Sequence, residues 1–441
     1  MRYLKTVILL ILAILVLPDA LVAQSNESNK RAYFKERINN SNKENELVPF
    51  QGNTKLKKSD VERAKAKVWE TWKRVNNEIE RLPELTQSTV EEPPLYSWDL
   101  IDEDPMPYYF LRKGDEDAKQ QKPLFLNLHG SGPKVHEFSA ALFLSKAYDD
   151  APSVYFIPQI PSERRYRWWF QPIQNTWERL FRLSMLNNEI DPNKIYIMGI
   201  SEGGYGSQRL GAYYADYLAG VGPMAGGEPL KNAPLPNFRN IAFSFHTGEH
   251  DGMFGRNQLT ALAGSKLDSL EAKYPADFVH NIVIQEGKGH SVDYYQTTPW
   301  LVKHERRVAP AAISWVYFPM HNRYRKGFYN VAIDKFPGMK EEDEYNRMLF
   351  DINFDKKNNT ITIDAKLMND EMTELKETEG GQISLFLDDR YVDYSKKVKV
   401  VYNGKVVYKS KLKLTEENIV ESCGLFGDPE RLYPAKVTIN L

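Results

Sequence analysis

The sequence predicts an α/β fold, a doubly wound and mostly parallel sheet, with an N-terminal helix before it and a small antiparallel β domain after it. Three observations carry this. Between about Tyr96 and Met320, short apolar runs bounded by Gly and Pro alternate with helical stretches, which is the pattern of βαβ units. The runs PLFLNL, KIYIMG and IAFSF are nearly continuous in apolar residues, as strands buried on both faces must be. After about Tyr324 the runs ITIDAKL, ISLFLD, VKVVYNGKVVY and AKVTINL are short and alternating, and Asn403-Gly404 makes a type I′ hairpin turn.

The elements follow in order. Arg2 and Lys5 precede the apolar run Val7 to Leu17, Pro18 and a small-residue site ending at Ala23, so residues 1–23 read as a secretory signal peptide. The run is short of the ~20 apolar residues that span a bilayer, so the mature chain is expected to start near Gln24 and to be exported, periplasmic or extracellular, without a membrane anchor. Gln24 to about Gly52 is rich in Asn, Ser, Lys and Glu and reads as a mobile linker. From Ser59, as N-cap, to Leu82, the apolar residues Val61, Ala64, Val68, Trp69, Trp72, Val75 and Ile79 are spaced for a helix. Strands are expected at Leu124–Leu128, Val154–Ile157, Ile195–Met198, Ile241–Phe245 and Phe278–Ile284. Helices are expected at Thr176–Asn187, Gly203–Tyr214 and Arg256–Tyr274. The domain expectation is linear: linker and helix over 24–95, a catalytic α/β domain over 96–325, and the β domain over 326–441.

Composition narrows the partners. Of 441 residues, 58 are Lys or Arg and 59 are Asp or Glu, so the formal net charge of −1 gives no global field toward nucleic acid or an anionic membrane. The single cysteine, Cys423, excludes an intramolecular disulfide and is expected as a small buried residue.

The chemistry concentrates at Gly199-Ile200-Ser201-Glu202-Gly203, where a strand runs straight into a helix. Such a turn is tight enough to lift the serine side chain off the sheet, and only small residues flank it without clashing. A serine hydroxyl needs a base to take its proton, and the base needs an acid to orient it. Among the histidines, His246 and His250 adjoin the candidate acid, His280 falls inside a strand, and His304 and His321 lie beyond the last strand. His290, in EGKGHSVDY, sits on a glycine-rich loop at a strand's C-terminal end, where α/β sites form. Asp251, in HTGEHDGMF, is the candidate acid, with Glu249 and Asp293 as neighbouring carboxylates. Upstream, the strand of LNLHGSGP ends in glycines whose N–H groups can face a developing oxyanion. Gly130 or Ser131 is expected to donate one such bond and Glu202 the other.

Together, HGSGP, GISEGGYG, GEHDGMFGR and GKGHSVDY resemble the exported esterase and prolyl-oligopeptidase-like branch of the α/β hydrolases, over about Tyr96 to Met320. The resemblance implies the α/β-hydrolase fold, in which the order Ser, Asp, His is expected, and serine-dependent acyl transfer without a cofactor. It carries nucleophile, acid and base onto Ser201, Asp251 and His290, and the oxyanion loop onto the Gly130 region. The expected substrate is an ester, small or attached to a polysaccharide, with acetyl or feruloyl groups preferred. A serine peptidase and a non-catalytic carbohydrate-binding protein are the competing readings. The loop Arg164-Arg165-Tyr166-Arg167-Trp168-Trp169-Phe170 bears on substrate, with Arg167, Trp168 and Trp169 as candidate contacts, or else Trp168, Trp169 and Phe170 are packing. His246, His250 and Asp251 lack a metal-ligand spacing, and no metal is expected.

Overall fold

The computed structural model describes residues 26–41, 48–52, 54–100, 103–114, 120–165, 167–378 and 380–441. The expected signal peptide lies outside the described residues. The chain divides into two units, Met1–Arg81 with Lys413–Lys436, and Leu82–Leu412 with Val437–Leu441. This corrects the linear partition, because Lys413–Lys436 joins the N-terminal segment instead of the β domain.

The first unit is helical. Residues expected as a linker hold a helix over 26–39 (α1), with Tyr33, Phe34 and Ile38 buried. The composition concealed it, since three large apolar side chains suffice when they share one face and meet a partner. That partner is α2, Val61–Ile79, which buries Val61, Ala64, Val68, Trp72 and Val75. The Phe34 ring meets Trp72 edge-on at 5.0 Å. Ser59 is not the cap: Lys58–Asp60 forms a 3-10 turn, and the residue before α2 is Asp60, with no side-chain capping bond. A third helix, Glu416–Phe426, has Thr415 accepting from the Asn418 N–H at 3.3 Å as its N-cap and Gly427, at φ 58°, as its stop. Cys423 is buried within it.

The second unit contains the parallel sheet. Its strands are β1 (Thr86–Gln87), β2 (Tyr96–Leu100), β3 (Glu103–Lys113), β4 (Lys122–Leu128), β5 (Ser153–Pro158), β6 (Ile190–Ile200), β7 (Gly220–Met224), β8 (Ala242–Gly248) and β9 (His280–Gln285). They lie in the order β1-β3-β5-β4-β6-β7-β8-β9, with β2 on β3. From β5 to β9 every pairing is parallel, while β3 runs antiparallel to β5. This is the strand order of the α/β-hydrolase fold. Helices α3 (Lys134–Ala147), α4 (Gln171–Ser184), α5 (Glu202–Tyr213), α6 (Arg256–Lys273) and α7 (Thr297–Leu301) fill the connections.

All five expected strands and three expected helices are present, displaced by a few residues at their ends. Strand β7 escaped the sequence reading because GVGPM looks like a turn. Its glycines are there for packing: a Cβ on Gly220 would meet Leu301 Cδ2 at 2.8 Å, and one on Gly222 would meet Thr297 Cγ2 at 2.6 Å.

The antiparallel part starts earlier than expected, at β10 (Ala312–Tyr317). After it come β11 (Gly327–Phe328), β12 (Val331–Lys335), β13 (Arg347–Asp355), β14 (Thr360–Met368), β15 (Leu375–Glu377), β16 (Gln382–Leu387), β17 (Val398–Tyr402), β18 (Lys405–Ser410) and β19 (Ala435–Asn440). One sheet has the order β10-β13-β14-β17-β18 with β15 on β14, and a second has β11-β12-β16-β19. Trp315 of the first stacks on Phe328 of the second at 5.1 Å, so their apolar faces share a core. Asn403-Gly404 closes the β17–β18 hairpin with positive φ at both residues. Buried Arg325 grips Asp216 of the α/β portion.

Candidate active site

Ser201 stands between β6 and α5 with φ 56° and ψ −114°, a backbone state unfavourable for a residue with a Cβ. The turn can be that sharp only because its flanks lack side chains. A Cβ on Gly199 would lie 2.5 Å from the Gly203 carbonyl, and one on Gly203 would lie 2.0 Å from Leu128 O. The Ser201 N–H donates to Met224 O at 2.9 Å, tying the elbow to β7.

The three residues expected as nucleophile, base and acid come together. Ser201 Oγ lies 3.0 Å from His290 Nε2, and His290 Nδ1 lies 2.7 Å from Asp251 Oδ2. These partners assign the proton to Nδ1, which donates to the carboxylate and leaves Nε2 to accept from the serine hydroxyl. The His290 side chain is 46 % exposed and that of Asp251 only 3 %, so the imidazole is open to a ligand while the carboxylate is held away from water. The neighbouring carboxylates are engaged elsewhere. Glu249 accepts from the Gly287 N–H at 2.9 Å, and Asp293 accepts from the Tyr295 N–H at 3.0 Å.

Sequence reasoning missed Arg256. Its Nη1 donates to Asp251 Oδ1 at 2.9 Å and stands 3.3 Å from His290 Nδ1, while its Nε donates to the Tyr205 hydroxyl at 3.0 Å. The two Asp251 oxygens are thus divided between base and arginine. The available signal was its position five residues after Asp251, at the first residue of α6.

The HGSG loop is braced by His129. Its Nε2 accepts from the Ile160 N–H at 3.0 Å, so Nδ1 carries the proton and donates to Gly130 O at 2.7 Å. Burial lowers the His129 pKa from 6.5 to about 4, because a cation there would lose its hydration. Buried His246, inside β8, is likewise lowered to about 4. At Gly130 the expected oxyanion loop passes close to the Glu137 side chain. A Cβ on Gly130 would meet Glu137 Oε2 at 2.8 Å. Of the expected oxyanion donors, Ser131 and Glu202 line one pocket with Ser201. Burial raises the Glu137 and Glu202 pKa values, with the Gly130 N–H opposing it at the first and Arg167 at the second.

The pocket beside Ser201 has a volume of about 430 Å³. Trp169, Tyr205 and Phe254 supply its aromatic surfaces, and three arginines contribute charge. Each arginine has a carboxylate: Arg167 lies 3.6 Å from Glu202, Arg209 is 2.6 Å from Glu228, and Arg256 is 2.9 Å from Asp251. Arg209 also lies over the Trp169 ring at 4.1 Å. Of the expected substrate contacts, Arg167 and Trp169 line this pocket. Trp168 does not: it is fully buried, donates from Nε1 to His129 O at 3.0 Å, and fills the space above Gly206, where a Cβ would meet its own Cβ at 2.7 Å. Its role is packing under the HGSG loop.

No protein-family model and no curated protein matches the sequence. Solved structures resemble it over about half its length. A thermostable esterase is 20% identical over 48% of this chain and 63% of its own, at a TM-score of 0.39, so the chain spans less than two thirds of that protein. A ferulic acid esterase of the anaerobic fungus Anaeromyces mucronatus is 14% identical over 50% and 94%, at 0.36. Esterase 2 of the planctomycete Thermogutta terrifontis is 13% identical over 48% and 92%, at 0.39.

Proposed function

We propose that this protein is an exported serine hydrolase that cleaves carboxylic esters through an acyl-enzyme. The observation that carries the reading is the continuous relay from Ser201 Oγ through His290 to Asp251, at 3.0 and 2.7 Å. Ser201 Oγ attacks the acyl carbon as its proton passes to His290 Nε2, and Asp251 stabilises the imidazolium that forms. The negative charge on the carbonyl oxygen is met by the Ser131 and Glu202 N–H groups, the latter at the positive end of α5. Collapse breaks the ester C–O bond, and the alcohol leaves with the proton from Nε2. Water then attacks the acyl-enzyme, giving a proton to His290 that returns to Ser201 Oγ as the acid departs.

The aromatic and arginine lining of the pocket supports a bulky acyl or glycosyl group, and acetyl or feruloyl esters of polysaccharides are the preferred class. Turnover of p-nitrophenyl and feruloyl esters against aminoacyl-p-nitroanilides tests this. Faster anilide cleavage would replace the esterase reading with a peptidase. Export is tested by N-terminal sequencing of the protein recovered outside the cytoplasm, with a start near Gln24 expected and an intact Met1 the contrary result.

A further inference from the structure

A second, strongly polar pocket of about 260 Å³ adjoins the first, and the two share Arg209 and Asn232 in their walls. Glu228 holds that common wall by accepting from Arg209 Nε at 2.6 Å and Asn232 Nδ2 at 2.8 Å. The far side is built by the antiparallel β portion, which contributes Met320, His321, Glu341, Asn346, Arg347 and Asp370. Lys231 is neutralised there, 3.3 Å from Asp370 and 2.6 Å from Glu371. Glu341 is engaged by the Asn322 N–H at 2.7 Å.

Arg347 differs from these. It is only 5 % exposed, yet its guanidinium meets neutral acceptors alone: Nε donates to Asn346 Oδ1 at 3.0 Å and Nη1 to Lys231 O at 2.7 Å. Among the described residues no carboxylate comes within ion-pair distance of it, and Nη2 has no acceptor. Each arginine of the first pocket has a carboxylate, so the contrast is between guanidinium groups paired with an anion and one that meets only neutral acceptors. A buried cation with no carboxylate in direct contact is costly even with Asp370 and Glu341 in the same wall, and a planar guanidinium with unused N–H groups is shaped for a carboxylate.

We infer that this second pocket is a subsite for a carboxylate carried by the substrate, with Arg347 as its anchor and a uronic acid unit as the chemical class. The inference rests on the ester-hydrolase reading for its connection to catalysis. A pocket smaller than the roughly 300 Å³ at which drug-sized sites begin suits a single sugar ring. The ester to be cut lies in the first pocket, and the acid group, one pocket away, sets which esters are brought to Ser201. Burial lowers the Arg347 pKa, as expected of a cation held from solvent, with Asp370 the largest opposing charge.

The test separates binding from turnover by using the full chain with Ser201→Ala. Calorimetric titration with galacturonate and galactose should give tighter binding of the acid, weakened by salt, and Arg347→Gln should reduce that affinity about tenfold or more. Equal binding of the two sugars, or an unchanged galacturonate affinity in Arg347→Gln, overturns the proposal. Should Arg347→Gln fail to fold, peptide-mapped phenylglyoxal modification of the unaltered protein replaces it. Galacturonate, and not galactose, should slow modification of Arg347, and equal rates overturn the subsite. If Ser201 proves inactive while galacturonate still protects Arg347, the subsite stands and the esterase reading falls. If esters are cleaved but neither sugar discriminates, the reverse holds.

Discussion

On the Ser201 side of the cleft the shape is set by the backbone, with glycines at 199 and 203 allowing contacts of 2.5 Å and less to a would-be Cβ. Elsewhere in the pocket it is set by long side chains in pairs, Arg167 with Glu202 and Arg209 with Glu228. The first kind of wall is stiff, because any added atom meets another main chain. The second is built of side chains: the Arg167–Glu202 pair is partly solvated and worth little on its own, whereas Glu228 is only 2 % exposed and holds Arg209 more firmly. Chemistry belongs on the stiff wall, where positioning within fractions of an ångström matters, and selectivity on the adjustable one.

The largest effect breaks the stiff wall at its acid. Asp251→Asn should lower kcat by about 10⁴, since His290 loses the carboxylate that holds its proton on Nδ1. Glu249→Gln and Asp293→Asn should cost far less, as both carboxylates serve turns. Steady-state kinetics of the three variants decides the matter, and a greater loss at Glu249 or Asp293 would reassign the acid.

Adjacent tryptophans sharpen the contrast. Trp168→Ala should remove about 3–5 kcal/mol of stability and lower activity on every ester, because it empties the space under the HGSG loop. Trp169→Ala, on the pocket wall, should raise KM for a bulky aromatic or glycosyl ester more than for p-nitrophenyl acetate. Melting temperatures and kcat/KM on both esters measure this, and identical profiles for the two variants would contradict it.

Arg256→Gln is expected to lower kcat/KM about 10- to 100-fold, the range of a lost hydrogen bond to a charged group. Retention of full activity would leave Arg256 outside the relay.

How much of this could be read from the sequence follows the same division. The elbow was legible because its requirement is local: a tight turn imposes glycine two residues either side of the serine. Asp251 and His290 were legible because each follows a strand at its C-terminal end. The helix over 26–39 was not, because its stability depends on Trp72, which lies more than thirty residues away. Nor could Trp168 and Trp169 be told apart, since adjacent residues leave the chain in different directions once the loop is folded. That Arg347 meets only neutral acceptors depends on which carboxylates its neighbours have taken, a fact of tertiary structure alone.

A pH dependence of stability is expected as well. His129 and His246 are held neutral in the fold, with pKa values lowered from 6.5 to about 4, so the unfolded chain binds protons first as the pH falls. Their contribution is full above pH 6.5 and is lost progressively from there toward pH 4, at most on the order of 3 kcal/mol each. Denaturant titrations from pH 8 to 4 should follow that course, and His129→Gln should flatten it. A stability unchanged between pH 7 and 4.5 would contradict the assignment.

The central claim is that Ser201 is the nucleophile, and covalent trapping tests it most directly. A fluorophosphonate should add once per chain, at Ser201 by peptide mapping, and the adduct should vanish in Ser201→Ala while that variant melts at nearly the wild-type temperature. Turnover by Ser201→Ala should fall below about a thousandth of the wild-type kcat. An adduct on another residue, no adduct at all, or a Ser201→Ala variant that retains substantial turnover would contradict the claim.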